Sequence, residues 1–110
     1  MATYILRGKY SPAAYQGMLD APSDRGQAAK SIGNVVGAKM IDAYFSVTNG
    51  DAVVIVEATK EHMAELQMIC MASGAFLSVA IEELISTKVQ TALMKTASAR
   101  SAKYKAPNKK

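Results

Sequence analysis

Few residues in this sequence have the type and spacing to do chemistry. The main group sits on stretches that read as strands: Arg7, and the alternating Asp42, Tyr44 and Ser46. An arginine on a mostly apolar sheet face can hold a carboxylate or phosphate with its planar fork, and a tyrosine hydroxyl can orient an oxygen. Together these would line a small-ligand cleft, and they are the candidate ligand-binding residues. The competing expectation is structural. Arg7 would then pair with an acid on a neighbouring strand, or the polar groups would lie in solvent at strand ends.

The other reactive side chains are isolated. His62 is the single histidine and falls in the first turn of a helix. It reads as a solvated helix residue, with a general base as the alternative. One histidine cannot build a histidine-ligated metal site or a facial triad. Cys70 has no partner for an internal disulfide and lies on an apolar stripe, so it reads as a small buried hydrophobe. Met63, Met68 and Met71 read as core or subunit packing rather than soft-metal ligands. Gly33, Gly37 and Gly50 lack the spacing of a phosphate-binding loop. No cofactor and no metal is expected, and a non-enzymatic role is favoured.

The charge pattern carries more information than any single side chain. Residues 1–85 hold six basic groups against nine acids, a body of −3. Residues 86–110 hold Lys88, Lys95, Arg100, Lys103, Lys105, Lys109 and Lys110 with no acid, an arm of +7. The net charge of +4 therefore describes neither part. Lys95, Arg100, Lys103, Lys105, Lys109 and Lys110 form the candidate interaction tail. Basic arms often meet nucleic acid or anionic surfaces. This one lacks interleaved aromatics or an RGG repeat, which makes nucleic acid the less favoured partner. A solvated tail, or one docked on the acidic body of a sister subunit, is the simpler expectation.

Positioning these groups needs one domain, and the chain is long enough for only one: 110 residues, half of them apolar. No apolar run reaches the ~18–20 residues that span a bilayer. Met1-Ala2-Thr3-Tyr4 lacks a basic, apolar leader. With a single cysteine, a reducing cytoplasm is the expected compartment.

Thr3 to Tyr10 is β-branched and aromatic and reads as a first strand. Ser11 and Pro12 suit the cap and first turn of a short helix, which Pro22 ends. Ser23 offers the next cap. Ala28, Ala29, Ile32, Val35 and Val36 recur at helical spacing, and Gly37 suits the closing left-handed position. Lys39 to Val47 alternates, with Ile41, Ala43, Phe45 and Val47 on one face and Met40, Asp42, Tyr44 and Ser46 on the other. Asn49-Gly50 predicts a type I′ hairpin, which needs positive φ at both residues. Asp51 to Glu57 is apolar on both sides and is expected to be covered on both faces.

Thr59 caps a helix over about Lys60 to Ala72, with Met63, Leu66, Ile69 and Cys70 as its buried stripe. Ala75 to Leu84 reads as the last strand. Ser86 caps a helix over about Thr87 to Ala99, with Val89, Ala92, Leu93 and Ala97 as a narrow stripe. The order β-α-β-β-α-β is the split βαβ, or ferredoxin-like, pattern: an α+β fold with one antiparallel sheet and helices on one face. The expected division is a domain over 1–85, a helix over 86–99 and a basic tail over 100–110. Apolar residues on both faces of the sheet predict that its bare side is covered by a second copy, giving a homodimer or larger ring.

The stretch Ala43-Tyr44-Phe45-Ser46-Val47-Thr48-Asn49-Gly50-Asp51-Ala52-Val53-Val54-Ile55-Val56-Glu57-Ala58 resembles the signature of the GYD-domain family. Met1 to Ile5 and Arg25 to Lys39 are also similar, so the resemblance covers about residues 1–98. Tyr104 to Pro107 is similar to a Tyr-x-x-Pro ending of some members. The resemblance implies a ferredoxin-like fold of the dimeric α/β-barrel kind and no established activity. One departure stands out. The family's glycine and tyrosine ahead of the aspartate are replaced by Thr48 and Gly50, and Asp51 alone remains. Either this chain has a better hairpin turn or a tyrosine-dependent role has gone; no role is carried over for that tyrosine.

The expected function is therefore a homo-oligomeric protein with an assembly or partner-interaction role. The alternative is a small-molecule binder or cofactor-independent enzyme, of the monooxygenase or isomerase kind, with its cleft at the dimer interface.

Overall fold

The computed structural model describes residues 1–108. Lys109 and Lys110 of the basic tail lie outside the described residues. The elements in chain order are β1 (Ala2–Tyr10), α1 (Pro12–Asp20), α2 (Arg25–Val36), β2 (Lys39–Phe45), β3 (Asp51–Ala58), α3 (Lys60–Ala72), β4 (Phe76–Leu84) and α4 (Thr87–Ser101). The strands form one antiparallel sheet in the order β2-β3-β1-β4. The fold is α+β and ferredoxin-like.

Local chemistry sets most boundaries. Ser11 Oγ accepts from Ala14 N, with Pro12 opening α1. Thr59 and Ser86 cap α3 and α4 in the same way. The cap of α2 is Asp24, whose carboxylate accepts from Gly26 N at 2.9 Å, and not the expected Ser23. An ionised oxygen facing the positive end of a helix is the stronger acceptor. Gly37 ends α2 at φ 90°, as its position predicts.

The hairpin differs from expectation. Asn49 does not have positive φ, so the turn is not type I′. The strands are joined by a longer loop in which Gly50 N donates to Ser46 O and Ser46 N to Asp51 O. Gly50 supplies the one left-handed residue, at φ 72°. The Tyr15 hydroxyl donates to its carbonyl at 2.7 Å, and a Cβ at this position would lie 2.8 Å from the Tyr15 hydroxyl oxygen. The loop is thus built around glycine.

A bulge at Ile41 breaks the alternation of β2. Met40 therefore turns to the helix side, opposite Val56, rather than sharing a face with Asp42 and Tyr44. The core fills one end of the sandwich. Tyr4 and Leu6 of β1, Val56 and Ala58 of β3, Val36 and Ala38 around the end of α2, and Met63 and Leu66 at the start of α3 are buried there. Met63 is the one core methionine. Met68 and Met71 are exposed, and so is Ile69, which departs from the expected buried stripe.

α4 is the outlier. It runs to Ser101, past the expected end at Ala99, and every residue in it is exposed. The molecule measures 60 × 30 × 23 Å, with a radius of gyration of 18.2 Å. A compact chain of this length would have about 13 Å. The excess reflects a helix about 22 Å long standing off the body.

Candidate functional site

The pairing register places the sequence-derived candidates on the bare sheet face. Arg7 lies opposite Val53 of β3, and Val53 lies opposite Tyr44 of β2. Arg7 and Tyr44 thus share a row across the sheet but stand two strand spacings apart, roughly 10 Å. Asp42 is in the adjacent row with Ile55, Ile5 and Glu82. Within the chain the structure does not bring Arg7 and Tyr44 into contact. Arg7 pairs with Glu82 of β4 at 3.4 Å, and Lys9 with Asp51 of β3 at 3.4 Å. The Tyr44 hydroxyl donates to Asp42 Oδ2 at 2.5 Å. That bond, with a second from Ala43 N, holds the Asp42 carboxyl below its ordinary pKa, and the same bond raises that of Tyr44. Ser46 lies beyond the end of β2. Its Oγ accepts from Asn49 N, a turn-forming role. Ile5, Val53 and Ile55 are half-buried at the middle of this face, with the Arg7–Glu82 and Lys9–Asp51 pairs beside them.

The opposite face holds a feature that sequence reasoning missed. A cleft of about 640 Å³ opens between α2 and α3 above the sheet. Its cause lies in helix placement. α2 rests mainly on β2 and α3 mainly on β4. The two helices close up at the core end, where the His62 ring would stand 3.2 Å from a Cβ on Gly37. Beyond that contact the space between them is left open. Along α2 the lining residues Gly26, Ala29 and Gly33 are too small to fill it, and Ala43 and Ala52 of the sheet add no bulk.

Tyr10 and Arg25 bring hydrogen-bonding side chains to this cleft, and Ser23, Asp24 and Ser73 lie at its edge. Tyr10 is buried at 8% exposure, stacked on Phe76 with centroids 5.2 Å apart. The Phe76 ring can lie there because Gly8 beneath it has no side chain; a Cβ would come within 2.6 Å. Burial pushes the Tyr10 hydroxyl above its ordinary pKa, and the Arg25 guanidinium beside it opposes that shift. Arg25 is the first residue of α2 and lines the same cleft. Cys70 is on the far wall, half-buried, with its thiol pKa raised by desolvation. The sequence signal for this site was the run of small residues at positions 26, 29 and 33 on one side of α2.

His62 is not the solvated residue expected. It is half-buried, and its Nδ1 is enclosed without a hydrogen-bond partner. Among the described residues, no group of three or more histidine, cysteine, aspartate or glutamate side chains is placed to hold a metal ion, and no helix is long and apolar enough to cross a membrane. Lys95, Arg100, Lys103 and Lys105 are exposed along α4 and the segment after it.

No curated protein and no solved structure matches the chain. A family model does, and its match over residues 4–94 takes in the sheet, α1 to α3 and the first half of α4. The chain belongs to the GYD domain family.

Proposed function

We propose that this protein is a homo-oligomer with an assembly role, using the bare sheet face to pair with a second copy and the basic C-terminal arm to engage a neighbour. The observation that carries this reading is α4. A helix of 15 residues packed on nothing is marginal in water, because most helical stability in proteins comes from a buried face. Val89, Leu93 and Met94 are about half exposed and give it such a face. The negative body and positive arm supply attraction between copies. A head-to-tail contact of that kind closes into rings or grows into filaments. What supports pairing through the bare face is its apolar middle, Ile5, Val53 and Ile55, with charged pairs beside it, since interfaces join an apolar centre to polar margins.

The test is native mass spectrometry with sedimentation velocity on the full chain, on a variant ending before residue 87, and on Val53→Asp. The full chain is expected to form multiples of the 11.7 kDa subunit that shrink as salt rises from ~50 to ~500 mM, because exposed charges are then screened. Loss of the arm reduces the assembly to a dimer, and Val53→Asp splits that dimer by putting a carboxylate into its apolar middle. A monomer in all conditions, or a size indifferent to the arm, overturns the reading. A log–log salt slope near −6 for duplex DNA, at ~0.9 per phosphate contact, would instead assign the seven basic groups to nucleic acid.

A second reading is small-molecule binding between two bare faces. It is favoured by the shared row of Arg7 and Tyr44, with Asp42 beside it. Pairing of two copies would enclose these groups and give a cofactor-independent enzyme or binder its site.

A further inference from the structure

We infer that the cleft between α2 and α3 binds a compact, ring-bearing monocarboxylic acid, with Arg25 and Tyr10 holding the carboxylate. This site lies on the helix side of the sheet and does not depend on assembly through the bare face. Its size, about 640 Å³, is within the ~300–1,000 Å³ of small-molecule sites. Its walls are largely apolar, with Ile32, Val54 and Leu66 among them. An apolar space of this size beside a well-filled core end is costly to leave to water, which finds few partners there.

The polar groups narrow the ligand further. Arg25 is a fixed cation with a forked donor set that matches a carboxylate, and the Tyr10 hydroxyl can donate to the same group. Asp24 lines the cleft too, but one of its oxygens is already engaged by Gly26 N at 2.9 Å as the helix cap. A single cation next to an existing carboxylate suits a monoanion. A phosphate dianion would face one arginine and a repelling acid. The stacked pair of Tyr10 and Phe76 offers an aromatic wall against which a ring can pack edge-on or offset. The half-buried Cys70 thiol contributes only another small apolar surface.

The experiment is amide NMR of the full chain titrated with naphthoate and, separately, with naphthalenemethanol, its uncharged counterpart. Naphthoate is expected to shift the amides of Ile32, Val54 and Leu66. It should bind roughly 10- to 100-fold more tightly than the alcohol, the preference that a charge-assisted pair confers. Arg25→Gln, at the exposed start of a helix, removes that preference while leaving the amide spectrum of the fold intact. Ala29→Leu fills the space and weakens both compounds. Equal binding of the two compounds overturns the inference, as do shifts confined to Ile5, Val53 and Ile55 on the bare face. So does the absence of any shift at ~1 mM ligand, where even weak binding registers; a neighbour's α4 side chains filling the cleft would give that result. Assembly is read by particle size, so either proposal can fail while the other stands.

Discussion

Replacing Gly37 with alanine tests the corner that closes one end of the cleft. Gly37 has φ 90°, where a Cβ is disfavoured by about 1–2 kcal/mol. The new methyl would also stand 3.2 Å from the His62 ring, tighter than ordinary contact. Moving that ring off its preferred rotamer adds about 0.5–1.5 kcal/mol. Alanine recovers about 0.4–1 kcal/mol by restricting the unfolded chain. The net expectation is a loss of about 0.5–3 kcal/mol. At ~2.1 cal/mol/K of unfolding entropy per residue, each kcal/mol lowers the Tm of a chain this long by about 4 °C. The assay is thermal and urea unfolding at one fixed protein concentration, since assembly would make Tm depend on concentration. Gly17→Ala is the control. It sits inside α1 with nothing within 4 Å of a new Cβ, so it should stabilise by about 0.5–1 kcal/mol. Adding His62→Ala to Gly37→Ala should show a favourable coupling of about 0.5–1.5 kcal/mol. A Gly37→Ala protein as stable as its parent, or zero coupling with His62, would refute the reasoning.

Three other outcomes are expected. Met63→Ala should cost about 2–5 kcal/mol in urea unfolding because the side chain is 2% exposed, whereas Met68→Ala on the outer side of the same helix should change stability by less than about 0.5 kcal/mol. Tyr44→Phe removes the main hydrogen bond to Asp42, so the Asp42 pKa should move up toward the ordinary carboxylate value in a carbon-detected NMR titration; no movement would mean the pair is broken in solution. Tyr10 is raised above its ordinary value of 10.0, so its neutral form is the one the fold favours. That contribution is fully present below the unfolded pKa and is lost as pH rises through the folded value. Unfolding free energy should therefore fall above about pH 10, with a shallower decline in Tyr10→Phe.

Much of the fold was legible because its signals are local. The caps Ser11, Thr59 and Ser86, the break at Gly37 and the strand patterns each depend on a few neighbouring residues. Together they yield the element order and the family resemblance. Where two local signals competed, the reading went astray. Ser23 is the expected cap of α2, yet its neighbour Asp24 is the one that caps the helix. Asn49-Gly50 carries the strongest short hairpin signal, yet the loop took a longer form in which Tyr15 holds the Gly50 carbonyl from a different helix. The bulge at Ile41 turned Met40 inward with no mark in the strand pattern.

The candidate site divides in the same way. The sequence by itself determined which residues alternate along β2, that the body is acidic and the C-terminal arm basic, and that chemistry-bearing side chains are few. It placed Arg7, Asp42 and Tyr44 on strands, and the register then set them on one face. Only the tertiary structure decided that Glu82 takes up Arg7, that His62 is enclosed against Gly37, and that Tyr10 and Arg25 meet at one cleft. Tyr10 and Arg25 lie on different elements, and no local pattern links them. The cleft between them is a property of how far α2 and α3 diverge over the sheet. That distance follows from the residues that fill the core end and from the small residues that leave the other end open, and no single stretch of chain records it.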